Sequence, residues 1–488
     1  MVIESLKYKI LQQFGFAPTQ EQGQALDTFV SFLTDRDPQA VMILRGSAGT
    51  GKTSLSGAIV RTMLQIRQKV MLLAPTGRAA KVFSLGSGAP AYTIHRRIYR
   101  EKAFAGVDGQ FSLNDNLYTD TLFMVDEASM IANMGLGGTT FGSGCLLDDL
   151  VKFVYQGHND RLLLIGDKAQ LPPVGEEESP ALSASVMEGY GLKVYECDLN
   201  EVLRQSQSSG ILYNATLIRQ MITHDAVTGL PLIRFKGFAD IVMMPGAELV
   251  ESLGDSYHHV GMDETTVITR SNKRANIYNN GIRNMVLDRE EELSSGDMLM
   301  IVKNNYFWTE KEKKESGEGS AGAVPAFLAN GDRAKVLRVS NYIELYGFRF
   351  ATLLLQLPDY DDYEMQVTGM LDTLQSEAPA LTHEQQEELF RQVEEDYQHF
   401  VPLKADRMKS IRQDAYFNAL QIKYAYAVTC HKAQGGQWAH VYVDQGYMTD
   451  DMLTPDYIHW LYTAFTRATD KLFLVNWPKE QTCEPTDL

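Results

Sequence analysis

The sequence predicts an α/β fold: a parallel sheet with helices on both faces, then a second α/β domain that a small β-barrel interrupts. Three observations predict it. Through the first two hundred residues, apolar runs of strand length alternate with helix-like segments. A glycine-rich turn from Gly46 to Thr53 joins one such run to one such helix. From about residue 296 the runs become short and β-rich, and the α/β rhythm returns late in the chain.

In order, residues 40–44 read as a strand, 53–66 as a helix with Leu55, Ala58, Ile59, Met63 and Ile66 at helical spacing, and 70–73 as a second strand. A helix opens at 77–83, and strands recur at 121–125, 161–165 and 193–195. The stretch 84–120 breaks the rhythm. Its strand-like runs flank a Gly- and Asp-containing turn, which predicts an inserted hairpin. Helices follow near Gly210, with a strand at 265–268. Residues 296–355 read as the small barrel, with Asn330-Gly331-Asp332 as a turn. A polar, acidic, helix-like segment covers 359–414, and α/β strands resume at 423–427, 441–443 and 471–475.

At roughly 100–200 residues per domain, 488 residues predict two to four domains. The longest apolar runs are strand-length, far short of the roughly 20 residues that span a bilayer, so no membrane partner is expected. Residues 1–14 alternate polar and apolar and carry no secretory pattern. Cys145, Cys197, Cys430 and Cys483 form no C-x-x-C pair, which predicts neither a disulfide framework nor a zinc or iron–sulfur site, and fits a reducing cytoplasm. A net charge of −17 argues against a protein that coats nucleic acid indiscriminately, but leaves room for a local basic track. Acidic blocks at 359–364 and 384–396 read as a solvated helix face or as a partner-binding element.

Gly46-Ser47-Ala48-Gly49-Thr50-Gly51-Lys52-Thr53 matches G-x-x-x-x-G-K-[S/T] between a strand and a helix. Backbone N–H groups of such a loop wrap phosphates, and the helix N-terminus adds positive potential. Lys52 is expected to reach the β- and γ-phosphates of ATP, and Thr53 to hold Mg²⁺. At the end of strand 121–125, Asp126 is expected to complete the metal site and Glu127 to polarise the attacking water. Strand 161–165 runs into Gly166-Asp167-Lys168-Ala169-Gln170-Leu171-Pro172-Pro173-Val174. There Gln170 could sense the γ-phosphate, or the prolines simply end the strand; the pattern leaves both open.

Further segments extend this series. Pro18-Thr19-Gln20-Glu21-Gln22, the phosphate loop, Ala74-Pro75-Thr76-Gly77-Arg78-Ala79-Ala80, Thr93-Ile94-His95 and Val125-Asp126-Glu127-Ala128-Ser129-Met130 come first. Leu199-Asn200-Glu201-Val202-Leu203-Arg204-Gln205, Tyr426 to Gly435, and Tyr462-Thr463-Ala464-Phe465-Thr466-Arg467-Ala468 follow. In this order they resemble the motifs of superfamily 1 helicases, within the 5′-to-3′ group of RecD-like and phage Dda-like enzymes. The resemblance implies two RecA-like P-loop domains, at 1–83 with 121–207 and at 208–295 with 415–488. It implies a β-hairpin pin at 84–120, and an SH3-like barrel with an acidic helical segment at 296–414. ATP would lie between the two RecA-like domains. Gln22 would recognise adenine, and Arg204 and Arg467 would be arginine fingers. Gly435 would contact the nucleotide, and Gln437 would take the sugar contact that many relatives give to a Glu.

The resemblance also implies single-stranded and forked duplex DNA as partners of a monomer. Pro75, Thr76, Arg78 and His95 would lie on the strand-binding face of the first domain, and Thr429, His431 and Lys432 near that of the second. Asn304 and Tyr306 would help guide the strand. Phe104 and Phe111 flank the hairpin turn. Either one of them stacks on the last base pair, or both pack the hairpin onto its host. An RNA-acting helicase and a non-unwinding P-loop remodelling ATPase would share the same motor.

Overall fold

The computed structural model describes residues 2–105, 108–135, 142–201, 208–223, 229–316, 324–325 and 327–483, with backbone only at 2–4, 101–105, 108–110 and 450. In the first domain, β1 (Ala40–Gly46), β2 (Lys69–Ala74) and β3 (Ala91–Thr93) join strands further along the chain. These are β6 (Thr121–Val125), β7 (Arg161–Gly166) and β8 (Lys193–Leu199). The sheet is ordered β3-β2-β6-β7-β1-β8, and each pairing is parallel. β1 shows why. All seven of its residues are buried. Val41 and Ile43 feed one hydrophobic cluster, while Ala40, Met42 and Leu44 feed another on the opposite face. A strand buried on both faces needs apolar residues along its length, which is the run from Ala40 to Leu44, while the buried Arg45 beyond it is paired with Asp198 at 2.6 Å.

The insertion is β4 (Tyr99–Ala105) paired antiparallel with β5 (Asp108–Leu113). It is shorter than the expected 84–120, because the Gly77–Ser87 helix runs on and β3 belongs to the main sheet.

The second domain contains β9 (Ile241–Met244) and β10 (Thr265–Thr269). The barrel strands are β11 (Met298–Ile301), β12 (Arg333–Leu345), β13 (Phe348–Leu357), β14 (Tyr363–Met370) and β15 (Leu420–Tyr424). The chain then returns to the second domain with β16 (Ala427–Thr429), β17 (Trp438–Asp444) and β18 (Ala468–Val475). That domain's sheet is ordered β16-β10-β17-β18-β9, and β11 to β15 close the barrel. Two expectations change. β14 lies inside the segment expected to be helical throughout. The run expected to resume the α/β domain at 423–427 is divided between the last barrel strand and β16.

The barrel is fixed to its host through a buried carboxylate. Asp297 accepts from Arg283 (3.0 Å), Arg289 (2.6 Å) and the Tyr426 hydroxyl (2.8 Å). A charge this deeply buried is stable only when its oxygens are paired in this way. The acidic arm is two helices, His383–Gln398 and Lys404–Arg412. It packs Leu389, Val393 and Ile411 against Phe348 and Phe350 of the barrel. Most of its glutamates are on the solvated side, where Glu388 pairs with Arg391 at 2.7 Å. No helix among the described residues is long and apolar enough to cross a membrane.

Candidate nucleotide site and strand-binding face

The phosphate loop leaves β1 and enters the Lys52–Gln65 helix. Gly49 (φ +76°) and Gly51 (φ +79°) take the left-handed conformation that curls the loop. At Gly46 a Cβ would lie 2.8 Å from Lys52 Cγ, so the close approach requires glycine. Lys52 Nζ donates to the Gly46 carbonyl and, at 3.3 Å, to that of Ser47. Gln22 is buried and both ends of its amide are bound within the protein. Its nitrogen donates to the Thr50 carbonyl (2.9 Å), and its oxygen accepts from Thr19 N–H (3.0 Å) in a capping box. Gln22 therefore fixes the loop to the Gln20–Thr34 helix.

Asp126 follows β6, and its backbone N–H donates to Leu73. Burial, and then the neighbouring Glu127 carboxylate, push Asp126 above the usual carboxylate range. Such a carboxylate favours a nearby cation. Asp126 and the hydroxyl of the exposed Thr53, at the start of the loop helix, are oxygen donors of the kind that would hold Mg²⁺, which would neutralise phosphate charge. Glu127 sits at φ +52°, a left-handed position that is uncommon outside glycine. Its side chain is met by Gln170. With the Gln170 amide turned to suit its neighbours, its nitrogen donates to Glu127 Oε2 (3.2 Å) and its oxygen accepts from Arg467 Nη2 (3.1 Å). Arg467 is 2% exposed. Its remaining donors are held by the Thr463 and Gly436 carbonyls, both at 3.1 Å.

Several residues outside the expected set complete this junction. The Tyr462 hydroxyl accepts from Ala48 N–H (3.0 Å) and donates to Asp167 (2.6 Å). Gln434 Nε2 donates to the Leu171 carbonyl (2.7 Å), and Thr463 Oγ1 accepts from Leu171 N–H (2.8 Å). Arg219 of the second domain donates to the Ser47 hydroxyl. A cavity of about 790 Å³ opens here, lined among others by Ser47, Asp167, Asn200, Arg219 and His459. Tyr462 was visible in the sequence as part of a motif, but nothing in its spacing pointed to the phosphate loop. Arg204 lies outside the described residues.

The residues expected at the strand make contacts within the protein. Thr76 caps the Gly77–Ser87 helix by accepting from Ala79 N–H (3.2 Å), and Pro75 precedes it half-buried. Arg78 donates to the Gln437 carbonyl (2.7 Å) and lies over the Trp438 ring at 4.5 Å. A Cβ on Gly435 would be 3.0 Å from Thr76 Oγ1 and from Ala79 Cβ. Gly435 and the Gln437 carbonyl, expected to lie at the nucleotide, both meet this helix. The barrel covers the same helix. Asp332 is buried, accepts from the Tyr360 hydroxyl (2.6 Å), and directs its other oxygen at Gly77.

His95, beside Tyr99, is pushed down to about 4 by burial and is neutral. Thr429 precedes the short Cys430–Ala433 helix that carries His431 and Lys432. Burial, with a smaller contribution from Lys423, brings Lys432 down to about 8. Asn304 accepts from Asn330 N–H (2.7 Å), bracing the turn beside the barrel. Phe111 packs on Tyr306 (4.7 Å), which stacks on Phe327 (4.7 Å). Phe111 also packs on its host's own core. The Phe104 side chain lies outside the described residues.

This geometry defines a P-loop ATPase of two RecA-like domains, with the acid, the amide and the arginine meeting across the domain boundary. Residues 17–229 match the AAA domain family, and 424–475 match the UvrD-like helicase C-terminal domain. A 157-residue segment is 30% identical to the ATP-dependent RecD2 DNA helicase of Deinococcus radiodurans, covering 32% of this chain and 18% of that protein. A 168-residue segment is 34% identical to the uncharacterised protein MJ1519 of Methanocaldococcus jannaschii, covering 32% of this chain and 13% of that one. The chain thus spans less than a fifth of either relative. Among solved structures, it resembles a Bacteroides Pif1 helicase in complex with ADP-AlF3 and ssDNA. The match has 13% identity and a TM-score of 0.46, over 96% of this chain and 95% of that one. Its ordered motifs, with the family and RecD2 matches, make the chain similar to superfamily 1 helicases of the RecD-like kind.

Proposed function

We propose that this chain is an ATP-driven DNA helicase that moves 5′ to 3′ along single-stranded DNA and opens duplex at the β4–β5 hairpin. The observation that carries the reading is the Glu127–Gln170–Arg467 bridge, which joins a catalytic acid of one domain to an arginine of the other. Lys52 would neutralise the β- and γ-phosphates, with Thr53 and Asp126 holding Mg²⁺. Glu127, with one oxygen held by Gln170, would orient the attacking water through the other. Arg467, already fixed by its carbonyl contacts, would meet the developing charge, with Arg204 as a second finger. Hydrolysis then depends on the two domains being together, so a cycle of nucleotide binding and release opens and closes the cleft.

The strand would run over the Gly77–Ser87 helix and the Cys430–Ala433 helix, engaging Thr76, Arg78, His431 and Lys432 once the contacts described above give way. A pair of tailed duplexes tests this. Unwinding with ATP is expected for a 5′ overhang and not for a 3′ overhang. Unwinding from 3′ overhangs alone would overturn the polarity, and stimulation of hydrolysis by RNA but not DNA would overturn the substrate.

A further inference from the structure

We propose that Tyr462 is a positioning residue that ties the backbone of the phosphate loop to the Glu127–Gln170–Arg467 bridge. The inference rests on the reading of this cleft as the site of ATP hydrolysis. The Pro455–Phe465 helix turns one face toward the first domain. On it, spaced three or four residues apart, His459 meets the Ala169 carbonyl (2.9 Å) and Thr463 receives Leu171 N–H (2.8 Å). Tyr462 differs from these two. Its hydroxyl reaches both the 167–171 segment and the phosphate loop, accepting from Ala48 N–H and donating to Asp167 Oδ2.

Beyond Asp167 the connection continues. Its other oxygen accepts from Ala169 N–H (3.0 Å), and its carbonyl accepts from Gln170 N–H (3.2 Å). The Gln170 side chain then spans Glu127 and Arg467. A continuous set of hydrogen bonds therefore runs from the loop that would bind phosphate to the groups that would act on it. Burial and the Asp167 carboxylate push the phenol far above its ordinary value, so it remains an O–H donor. In such a buried network each bond has few alternative partners, so a shift at Ala48 is passed on to Gln170 and not absorbed by solvent. A displacement of about 1 Å at reacting groups can cost on the order of a hundredfold in rate.

The test is Tyr462→Phe, which keeps the ring and deletes the hydroxyl. Thr463→Val is the control, removing a bond to the same segment from the same helix face. For Tyr462→Phe, kcat of strand-stimulated ATP hydrolysis is expected to fall about tenfold while KM for ATP stays within about threefold. Thr463→Val leaves in place the carbonyl that holds Arg467 and is expected to lower kcat less than Tyr462→Phe does. An unchanged kcat in Tyr462→Phe, or equal losses in both variants, overturns the proposal; equal losses would mean general loosening of the interface. If Tyr462→Phe does not fold, Asp167→Asn carries the test, with the same split between kcat and KM expected and an unchanged kcat overturning it. A wild-type chain that does not hydrolyse ATP would defeat the reading of the cleft itself. An active wild type with an unaffected Tyr462→Phe defeats only the positioning role.

Discussion

At the cleft, Glu127, Gln170 and Arg467 arrive from separate segments and meet within 3.2 Å, and the second domain completes the set. At the Gly77–Ser87 helix, Thr76 serves as a cap, Arg78 binds a carbonyl and a tryptophan, and the barrel's Asp332 lies over the helix start. Both regions are domain boundaries, but they differ in kind. Chemistry needs its groups converged before the reaction, because reorganisation during the reaction would raise the barrier. A strand track of the kind proposed needs only donors and ring faces that can be exchanged, and such residues can also serve as the caps and domain ties seen here.

The sharpest way to break this comparison is Lys52→Ala. Its ammonium is held by the loop carbonyls of Gly46 and Ser47, so the fold should keep its melting temperature while phosphate release falls by roughly a thousandfold. Retention of a tenth of the rate would move the chemistry elsewhere. Next, Gln170→Ala should lower kcat by roughly 10–100-fold and leave ATP affinity nearly unchanged; a loss of affinity alone would make Gln170 a binding residue.

At the other boundary, burial pushes Asp332 up to about 7. A carboxyl raised in the folded state above an unfolded value of about 4 contributes stability that is fully present below about pH 4 and is lost as pH rises through 7. Melting temperature should therefore decline over that window, and Asp332→Asn should flatten the decline. The raised Asp126 keeps some slope in the variant. An unaltered slope would contradict the buried contact. The smallest effect is expected from Phe111→Ala, since an aromatic pair adds about 0.5–1.5 kcal/mol beyond its buried area. Unwinding should slow severalfold with strand-stimulated hydrolysis spared, and equal loss of both would make the stack a structural tie.

The first sheet was legible because its central strands β1, β6 and β7 are buried throughout and each strand ends in a motif with its own chemistry. The barrel was only half legible. β14 was hidden in an acidic segment because the outward-facing Glu364 and Gln366 alternate with the buried Met365 and Val367. The hairpin's limits were blurred because β3 has only three residues. In the site, Glu127, Gln170 and Arg467 were expected, but their bridge was not, since it joins positions some 300 residues apart in sequence that only packing brings together. Tyr462 stayed unassigned for the same reason. The contacts of Gly435 and Gln437 with the Gly77–Ser87 helix were not legible, because a motif fixes local conformation and not which neighbour it meets.

The most direct test of a cleft that couples a strand to ATP is hydrolysis by wild type and Arg467→Ala, each with and without single-stranded DNA. The account predicts that the strand stimulates wild type by about tenfold or more and that Arg467→Ala loses on the order of a hundredfold of that rate. Hydrolysis by Arg467→Ala at the wild-type rate, or a wild type indifferent to the strand, would contradict it.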